Sequence, residues 1–252
     1  MKAGQRRSGY EVCMLIDGIV HSTQKMILAQ TAAGPAYEAM LAATDPVHRA
    51  FCAANDIDFR PFVGVRRGYH PWQASLNRIE MLKDLLDAGW RGWFLYLDAD
   101  ALILQPDFDI RRFLGRREAY ALVAAPGAPD AERWAINNGV FFLNLGHELG
   151  REIAWRWWEI TRQTLSEDML RTAVEPWQAL PDGRPFPDDQ HLLQIVLMRH
   201  PHLLDALYLI NDGVVRLGTG RFIRQYLRVL GSPADRLERI RAAVAELLGG
   251  RR

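Results

Sequence analysis

Cysteine is nearly absent from this 252-residue chain: Cys13 and Cys52 both sit among apolar neighbours, with no metal-type spacing between them. That excludes a disulfide-framed scaffold and a cysteine-built metal centre, and both residues read as buried free thiols. An excess of one charge is also lacking. With 31 Lys and Arg against 30 Asp and Glu, the formal net charge is +1, so no chain-wide field recruits nucleic acid or a membrane surface. Any anion binding must come from local clusters. No uncharged apolar run approaches the roughly 18 residues of a membrane span. The stretch Val12 to Ile16 after Arg6-Arg7 is too short for the apolar region of a signal peptide. Internal repeats and low-complexity tracts are missing too, which excludes solenoids and arrays. A protein of a reducing cytoplasm is the expectation.

What is present is an alternation of short apolar runs and helical patterns over a length suited to one α/β domain. We read residues 1–252 as one such domain, with residues 1–9 disordered. Tyr10 to Ile16 reads as a first buried strand ending at Asp17-Gly18. Helical segments follow at Tyr37 to Leu41 and Val47 to Asn55, interrupted at Asp45-Pro46, and then a strand at Asp58 to Val63. Trp72, Leu76, Ile79, Leu82 and Leu86 recur at helical spacing. Strands are expected at Phe94 to Asp98, Tyr120 to Ala125, Val140 to Leu145 and Leu207 to Ile210. Helices are expected at Leu149 to Thr164 and Asp188 to Arg199, with a Pro/Gly-rich loop from Glu175 to Pro187. Residues 234–248 place Leu237, Ile240, Val244 and Leu247 on one face, an amphipathic closing helix. Such alternation predicts a mostly parallel sheet covered by helices, with ligands beyond the carboxyl ends of its strands.

The most informative run is Phe94-Leu95-Tyr96-Leu97-Asp98-Ala99-Asp100-Ala101-Leu102-Ile103. Its two carboxylates stand at i and i+2 behind an apolar strand. On an extended chain such residues point the same way, so Asp98 and Asp100 are expected to converge on one hard cation shared with phosphates and water. Ala99 leaves room for a ligand. Two further clusters lie at element ends. In Asn137-Asn138-Gly139 the amides offer donors and acceptors suited to sugar hydroxyls, and Gly139 allows close backbone approach. In Asp188-Asp189-Gln190, Asp188 fits a helix N-cap and Asp189 is favoured by the helix dipole, which leaves Asp189 and Gln190 to face a cleft. His200 and His202 bracket Pro201, but a helix-end cap explains them better than a metal pair. Of Trp155, Trp157 and Trp158, one or two should be core, leaving another for a sugar-stacking platform.

These blocks, in this order, resemble glycosyltransferases of the GT-A nucleotide-diphospho-sugar transferase fold, closest in pattern to galactosyl/mannosyltransferase and glycogenin-like retaining groups. The resemblance covers roughly residues 10 to 220 and includes the His48 to Ala53 helix feeding a strand. It implies a Rossmann-like, mostly parallel sheet and transfer of a hexose from a UDP- or GDP-linked donor to an acceptor with retention. It implies that Asp98 and Asp100 bind Mn²⁺ or Mg²⁺ and, through it, the donor diphosphate. Asp17 would lie near the nucleotide and Arg78 would face the donor. Asn138 and Gly139, beside Asn137, would border the donor sugar, while Asp189 and Gln190 would hold its hydroxyls near the reacting carbon.

One departure matters. The resembled groups carry a third metal ligand, a histidine, near the C-terminus, whereas the comparable stretch here, Val214 to Arg221, has none. Arg216 occupies that place. A guanidinium cannot ligate a metal but pairs with phosphate in bidentate fashion, so Arg216, with Arg221 and Arg224, is expected to offset diphosphate charge and weaken any metal dependence. Two alternatives stay open: a haloacid-dehalogenase-type phosphatase, whose nucleophile strand also ends Asp-x-Asp, and a transferase-like domain that binds a nucleotide or glycan without turnover.

Overall fold

The computed structural model describes residues 13–16, 19–128, 130–175, 183, 185–210, 213–217 and 219–250, without the side chains of residues 13–16, 19, 216 and 217. The segment 1–9, Asp17 and most of the loop expected between Glu175 and Pro187 lie outside the described residues.

The chain opens on an antiparallel hairpin, β1 (Cys13–Ile16) and β2 (Ile19–Ser22), that stands apart from the main sheet. The first strand of the main sheet is instead β3 (Met26–Ala32), buried at every position. Of the strand expected at Tyr10 to Ile16, the described part, Cys13–Ile16, is therefore not a strand of the main sheet, and residues 10–12 lie outside the described residues. After β3 come α1 (Pro35–Ala54), β4 (Asp58–Val63), a 3-10 turn at Pro71–Leu76, α2 (Asn77–Asp87) and β5 (Trp93–Asp98). Next are β6 (Ala101–Ile103), α3 (Ile110–Gly115), β7 (Leu122–Pro126), β8 (Ile136–Asn144), α4 (Glu148–Thr164), α5 (Glu167–Thr172) and α6 (Asp189–Arg199). The chain closes with β9 (Leu207–Leu209), β10 (Val215–Leu217), β11 (Ile223–Gln225) and α7 (Pro233–Gly249).

Among the described residues the main sheet has the order β4-β3-β5-β8-β7-β9. The pairings β4 with β3, β3 with β5 and β7 with β9 are parallel, and only β8 runs against both of its neighbours. That reversal puts the start of β8 at the same sheet edge as the end of β5. It brings Asn138 to Asp98, which a parallel strand would not do. β8 also slips by a bulge: its ladder to β7 pairs Phe141 with Ala124 but Asn137 with Ala125, leaving Asn138, Gly139 and Val140 unopposed on that side. Bulges of this kind re-aim side chains next to sites.

The period of two sorts the core. Trp93, Leu95 and Leu97 of β5 pack with Phe51 of α1, Phe113 of α3 and Ile240 of α7. Phe94 and Tyr96 pack on the opposite face with Ile79 of α2, Trp157 of α4 and Leu192 of α6. Burial on both faces is what parallel strands require.

α1 continues straight through Pro46, against the expected break at Asp45-Pro46. Pro46 and Ala42, whose carbonyl the proline leaves without a helical donor, are both on the exposed side, open to solvent. The buried face of Met40, Thr44, Val47, His48 and Phe51 holds the helix together. A small second sheet, β10-β11-β6, returns the C-terminal region to the Asp98–Asp100 turn, with β11 antiparallel to β6. Among the described residues no helix is long and apolar enough to cross a membrane.

Candidate active site

A cleft of about 390 Å³ opens at the carboxyl ends of β3 and β5, within the roughly 300–1,000 Å³ usual for small-molecule sites. Four regions wall it. The end of β3 supplies Thr31 to Ala33, the 3-10 turn and first turn of α2 supply Trp72, Ser75 and Arg78, and the start of α6 supplies Asp188 to Gln190. The C-terminal segment adds Leu227, Arg228 and Val229.

Arg78 organises the floor. It is buried, and its Nη2 donates to Asp98 Oδ1 at 2.6 Å, its Nη1 to the Asn138 carbonyl at 2.6 Å and its Nε to the Ser75 carbonyl at 3.1 Å. The same Nε lies 3.4 Å from Asp189 Oδ2, and the guanidinium sits 4.1 Å above the Tyr96 ring. Burial opposes the charge on Arg78, but Asp189 and Asp98 outweigh it and hold its pKa above the ordinary arginine range. Asn138 donates through Nδ2 to Asp189 Oδ2 at 2.6 Å and through its backbone N–H to Gln190 Oε1 at 3.2 Å. Asp188 caps α6 by accepting from the His191 N–H at 2.7 Å, while the buried Trp157 indole donates to the Asp189 carbonyl at 3.0 Å. Burial first, and then the charge of Asp189, raise the carboxyl pKa of both Asp98 and Asp188, in Asp98 against the pull of Arg78.

The two acids of the Asp98–Asp100 turn do not converge as an extended chain would have them. β5 ends at Asp98, and Ala99 and Asp100 form a turn, so the i, i+2 rule no longer applies. Asp98 holds Arg78 on one oxygen and accepts from Gln225 Nε2 at 2.9 Å on the other. Asp100 turns to α7, where Arg236 Nη1 donates to its Oδ2 at 2.8 Å. Burial, and then the charge of Asp98, push the Asp100 carboxyl up to about 7 against the pull of Arg236.

The turn itself is clamped from behind. Gln30 Nε2 donates to the carbonyls of Asp98 and Ala101, while Gln30 Oε1 accepts from Thr44 and faces His48 Nδ1 at 3.0 Å. Because His48 Nε2 accepts the Ile103 N–H at 3.2 Å, the ring proton must sit on Nδ1 and point to Gln30.

The fold is similar to that of a glycosyltransferase involved in the glycosylation of the major capsid of PBCV-1, with a TM-score of 0.60 and 15% identity over 86% of this chain and 99% of that one. The chain has a GT-A glycosyltransferase-like fold. The galactosyltransferase LgtC, in complex with donor and acceptor sugar analogues, aligns at a TM-score of 0.43 and 15% identity over 88% of this chain and 96% of its own. No protein-family model and no curated protein matches the sequence.

Within this GT-A framework Arg78, Asp98, Ala99, Asp100, Asn138, Asp189 and Gln190 all line the cleft. Asn137 and Gly139 do not. Asn137 instead accepts the Gly139 N–H at 2.7 Å, and a Cβ on Gly139 would strike the Gln225 amide and lie 2.5 Å from Asp98 Oδ2. Asp17 lies outside the described residues. Arg216 pairs through its backbone with Arg224, and its side chain is not described. Arg221 and Arg224 line a separate cavity of about 760 Å³ with Leu104 and Glu246, and neither lines the cleft. Arg78 against Asp98, Arg228 at the cleft wall and Arg236 behind Asp100 are the arginines the described residues place near the turn.

Neither Trp155 nor Trp158 lines the cleft; they flank Lys83 of α2, at 5.5 and 4.8 Å. His200 ends α6, its backbone N–H bonded to the Val196 carbonyl. Cys52 is buried, and burial pushes its thiol up to about 12.

The GT-A resemblance implies a divalent cation, and the donor groups test that implication. Among the described residues no three His, Cys, Asp or Glu side chains gather at one point. Both oxygens of Asp98 and one of Asp100 are already engaged, and Asp100 Oδ1 alone is buried without a partner. A cation on that oxygen would face the Arg236 guanidinium across the same carboxylate. The residues present do not fit a chelated metal.

Proposed function

We propose that this protein is a hexosyltransferase whose donor is a UDP- or GDP-linked sugar. The observation that carries the reading is Arg78, which ties Asp98 and Asn138 together and faces Asp189 at the strand ends of a GT-A-like sheet. In this reading the base and ribose lie against Thr31 to Ala33 and Tyr37. The diphosphate lies over the Asp98–Asp100 turn beside Arg228.

Asp189, Gln190 and Asn138 hold the sugar hydroxyls. Asp189 Oδ2 accepts from Asn138 and is faced by Arg78, so that oxygen is already committed to the frame of the site. It therefore positions the donor rather than activating the acceptor, which agrees with retention. The C1–O bond to the diphosphate breaks with its electron pair leaving on the phosphate oxygen. The acceptor oxygen bonds C1, and its proton passes to the departing diphosphate. Arginine charge stabilises that leaving group as it develops.

A phosphatase of the haloacid-dehalogenase type would want a lysine beside the acidic pair, and the described cleft lining contains none. The deciding experiment is a hydrolysis and transfer assay over a set of UDP- and GDP-sugars. Free nucleoside diphosphate, and a product whose anomeric configuration by NMR matches the donor, would support the reading. Inorganic phosphate from a phosphomonoester would replace it with the phosphatase, and saturable binding without turnover would replace it with a non-catalytic domain.

A further inference from the structure

We infer that this site binds its nucleoside diphosphate without a divalent cation, using Arg228, and that the second acid of the turn, Asp100, serves to hold the C-terminal segment in place. The inference rests on the donor reading above and adds how the diphosphate charge is met.

Asp100 grips the C-terminal segment twice. Its backbone carbonyl accepts the Tyr226 N–H at 2.8 Å, and its side chain pairs with Arg236. Both partners of that pair are desolvated, with side-chain exposures of 2% for Arg236 and 7% for Asp100. Arg236 also donates to the Tyr226 carbonyl at 3.2 Å and to the Tyr37 hydroxyl at 3.4 Å. An arginine bound on this many sides is a structural counter-ion, and it already occupies the carboxylate that a metal would need.

The segment so fastened runs from Gln225 to Arg236. At its start Gln225 holds Asp98, and in its middle Leu227, Arg228 and Val229 form the cleft wall. Arg228 is exposed there and close enough to Asp98 and Asp100 to act on both charges. A guanidinium at that place matches phosphate oxygens in bidentate geometry. The Asp100–Arg236 pair is thus a latch, and Arg228 is what the latch presents.

Calorimetric titration of the full chain with UDP and with GDP, in EDTA and in MnCl₂, tests this. The expected result is a Kd that agrees between the two buffers within about threefold, with Arg228→Ala weakening binding by about tenfold in both, the scale of one charge-assisted bond. Arg236→Gln, at a residue that cannot ligate a cation, is expected to weaken binding in EDTA as much as Arg228→Ala does. A Kd in EDTA more than about threefold weaker than in MnCl₂, or Arg228→Ala binding within about threefold of wild type, overturns the inference. So does a folded Arg236→Gln with wild-type affinity. Arg228 is exposed, so its variant keeps the test alive if Arg236→Gln does not fold. Binding seen only with Mn²⁺ sinks this inference and leaves the donor reading standing, whereas no binding in either buffer sinks both.

Discussion

Arg78 and Asp98 form a 2.6 Å ion pair in which the arginine is almost wholly buried and the carboxylate remains partly open to the cleft. The remaining donors of Arg78 fix the Asn138 carbonyl and the Ser75 carbonyl, so one side chain joins α2, β5 and β8. Removing it leaves Asp98 and Asp189 facing each other without their common counter-ion. Arg78→Ala is expected to cost about 3–5 kcal/mol in urea unfolding, the scale for breaking one half of a buried pair. Arg78→Lys keeps the charge but not the fork. It should fold, yet lose about a hundredfold in kcat/KM for donor cleavage, as mispositioned sites do. Wild-type stability for Arg78→Ala would contradict the assignment.

Gly139 is a glycine because of what lies against it. An added methyl there meets the Gln225 amide and Asp98 Oδ2, the pair that joins the C-terminal segment to the turn. Gly139→Ala is expected to lower stability by about 1–3 kcal/mol, as overpacking does, and to weaken nucleoside diphosphate binding in titration calorimetry. Gly249, where an added Cβ meets nothing within 4 Å, supplies the control. Gly249→Ala, at the end of α7, should neither lower stability nor weaken binding.

Trp157 and Trp155 separate packing from site support. The Trp157 indole is buried in the core and donates to the Asp189 carbonyl at the start of α6. Trp157→Phe keeps most of the apolar volume but removes the indole bond that fixes the first carbonyl of α6. The expectation is a loss of about 1–3 kcal/mol together with a fall in kcat for donor turnover, read by urea unfolding and steady-state assay. Trp155 is 45% exposed and does not line the cleft. Trp155→Ala should leave kcat and KM at wild-type values; a raised KM for the acceptor would restore it as a sugar platform.

The acidic turn, Asn138 and Asp189-Gln190 were legible in sequence because each sits where an apolar run or a helix signal stops, and ligands collect at such ends. What was hidden depended on distant partners. β3 contains Gln30 and Thr31 in a fully buried strand, a pattern that reads as broken until Gln30 is seen bonded to Asp98 and Ala101, and Thr31 to Tyr96. The reversal of β8 leaves no local mark, since an apolar run reads the same in either direction. Arg236 looks like one solvated charge on an amphipathic helix, and only the fold brings it to a carboxylate 136 positions away.

His48 gives the turn a pH signature. The ring is fully buried, and burial lowers its pKa from 6.5 to about 3 against a smaller opposing pull from Asp45. The unfolded chain takes up this proton near pH 6.5, whereas the folded chain refuses it until about pH 3. Below 6.5 the unfolded state therefore binds more protons, and stability falls as the pH drops toward 3, by at most about 1.4 kcal/mol per pH unit. The raised carboxyl of Asp100, at about 7, acts with the opposite sign: its burial penalty is present above pH 7 and fades as it takes a proton. Wild type alone therefore mixes the two, and His48→Gln isolates the first. The variant should be less stable than wild type at pH 7.5, because the Nε2 acceptor for Ile103 and the donor to Gln30 are disturbed. The gap between them in urea unfolding should then shrink from pH 6.5 to pH 4.5, because only the wild type carries a group that the acid must leave unprotonated. A gap that stays constant over that interval would mean that His48 is not held neutral behind the turn.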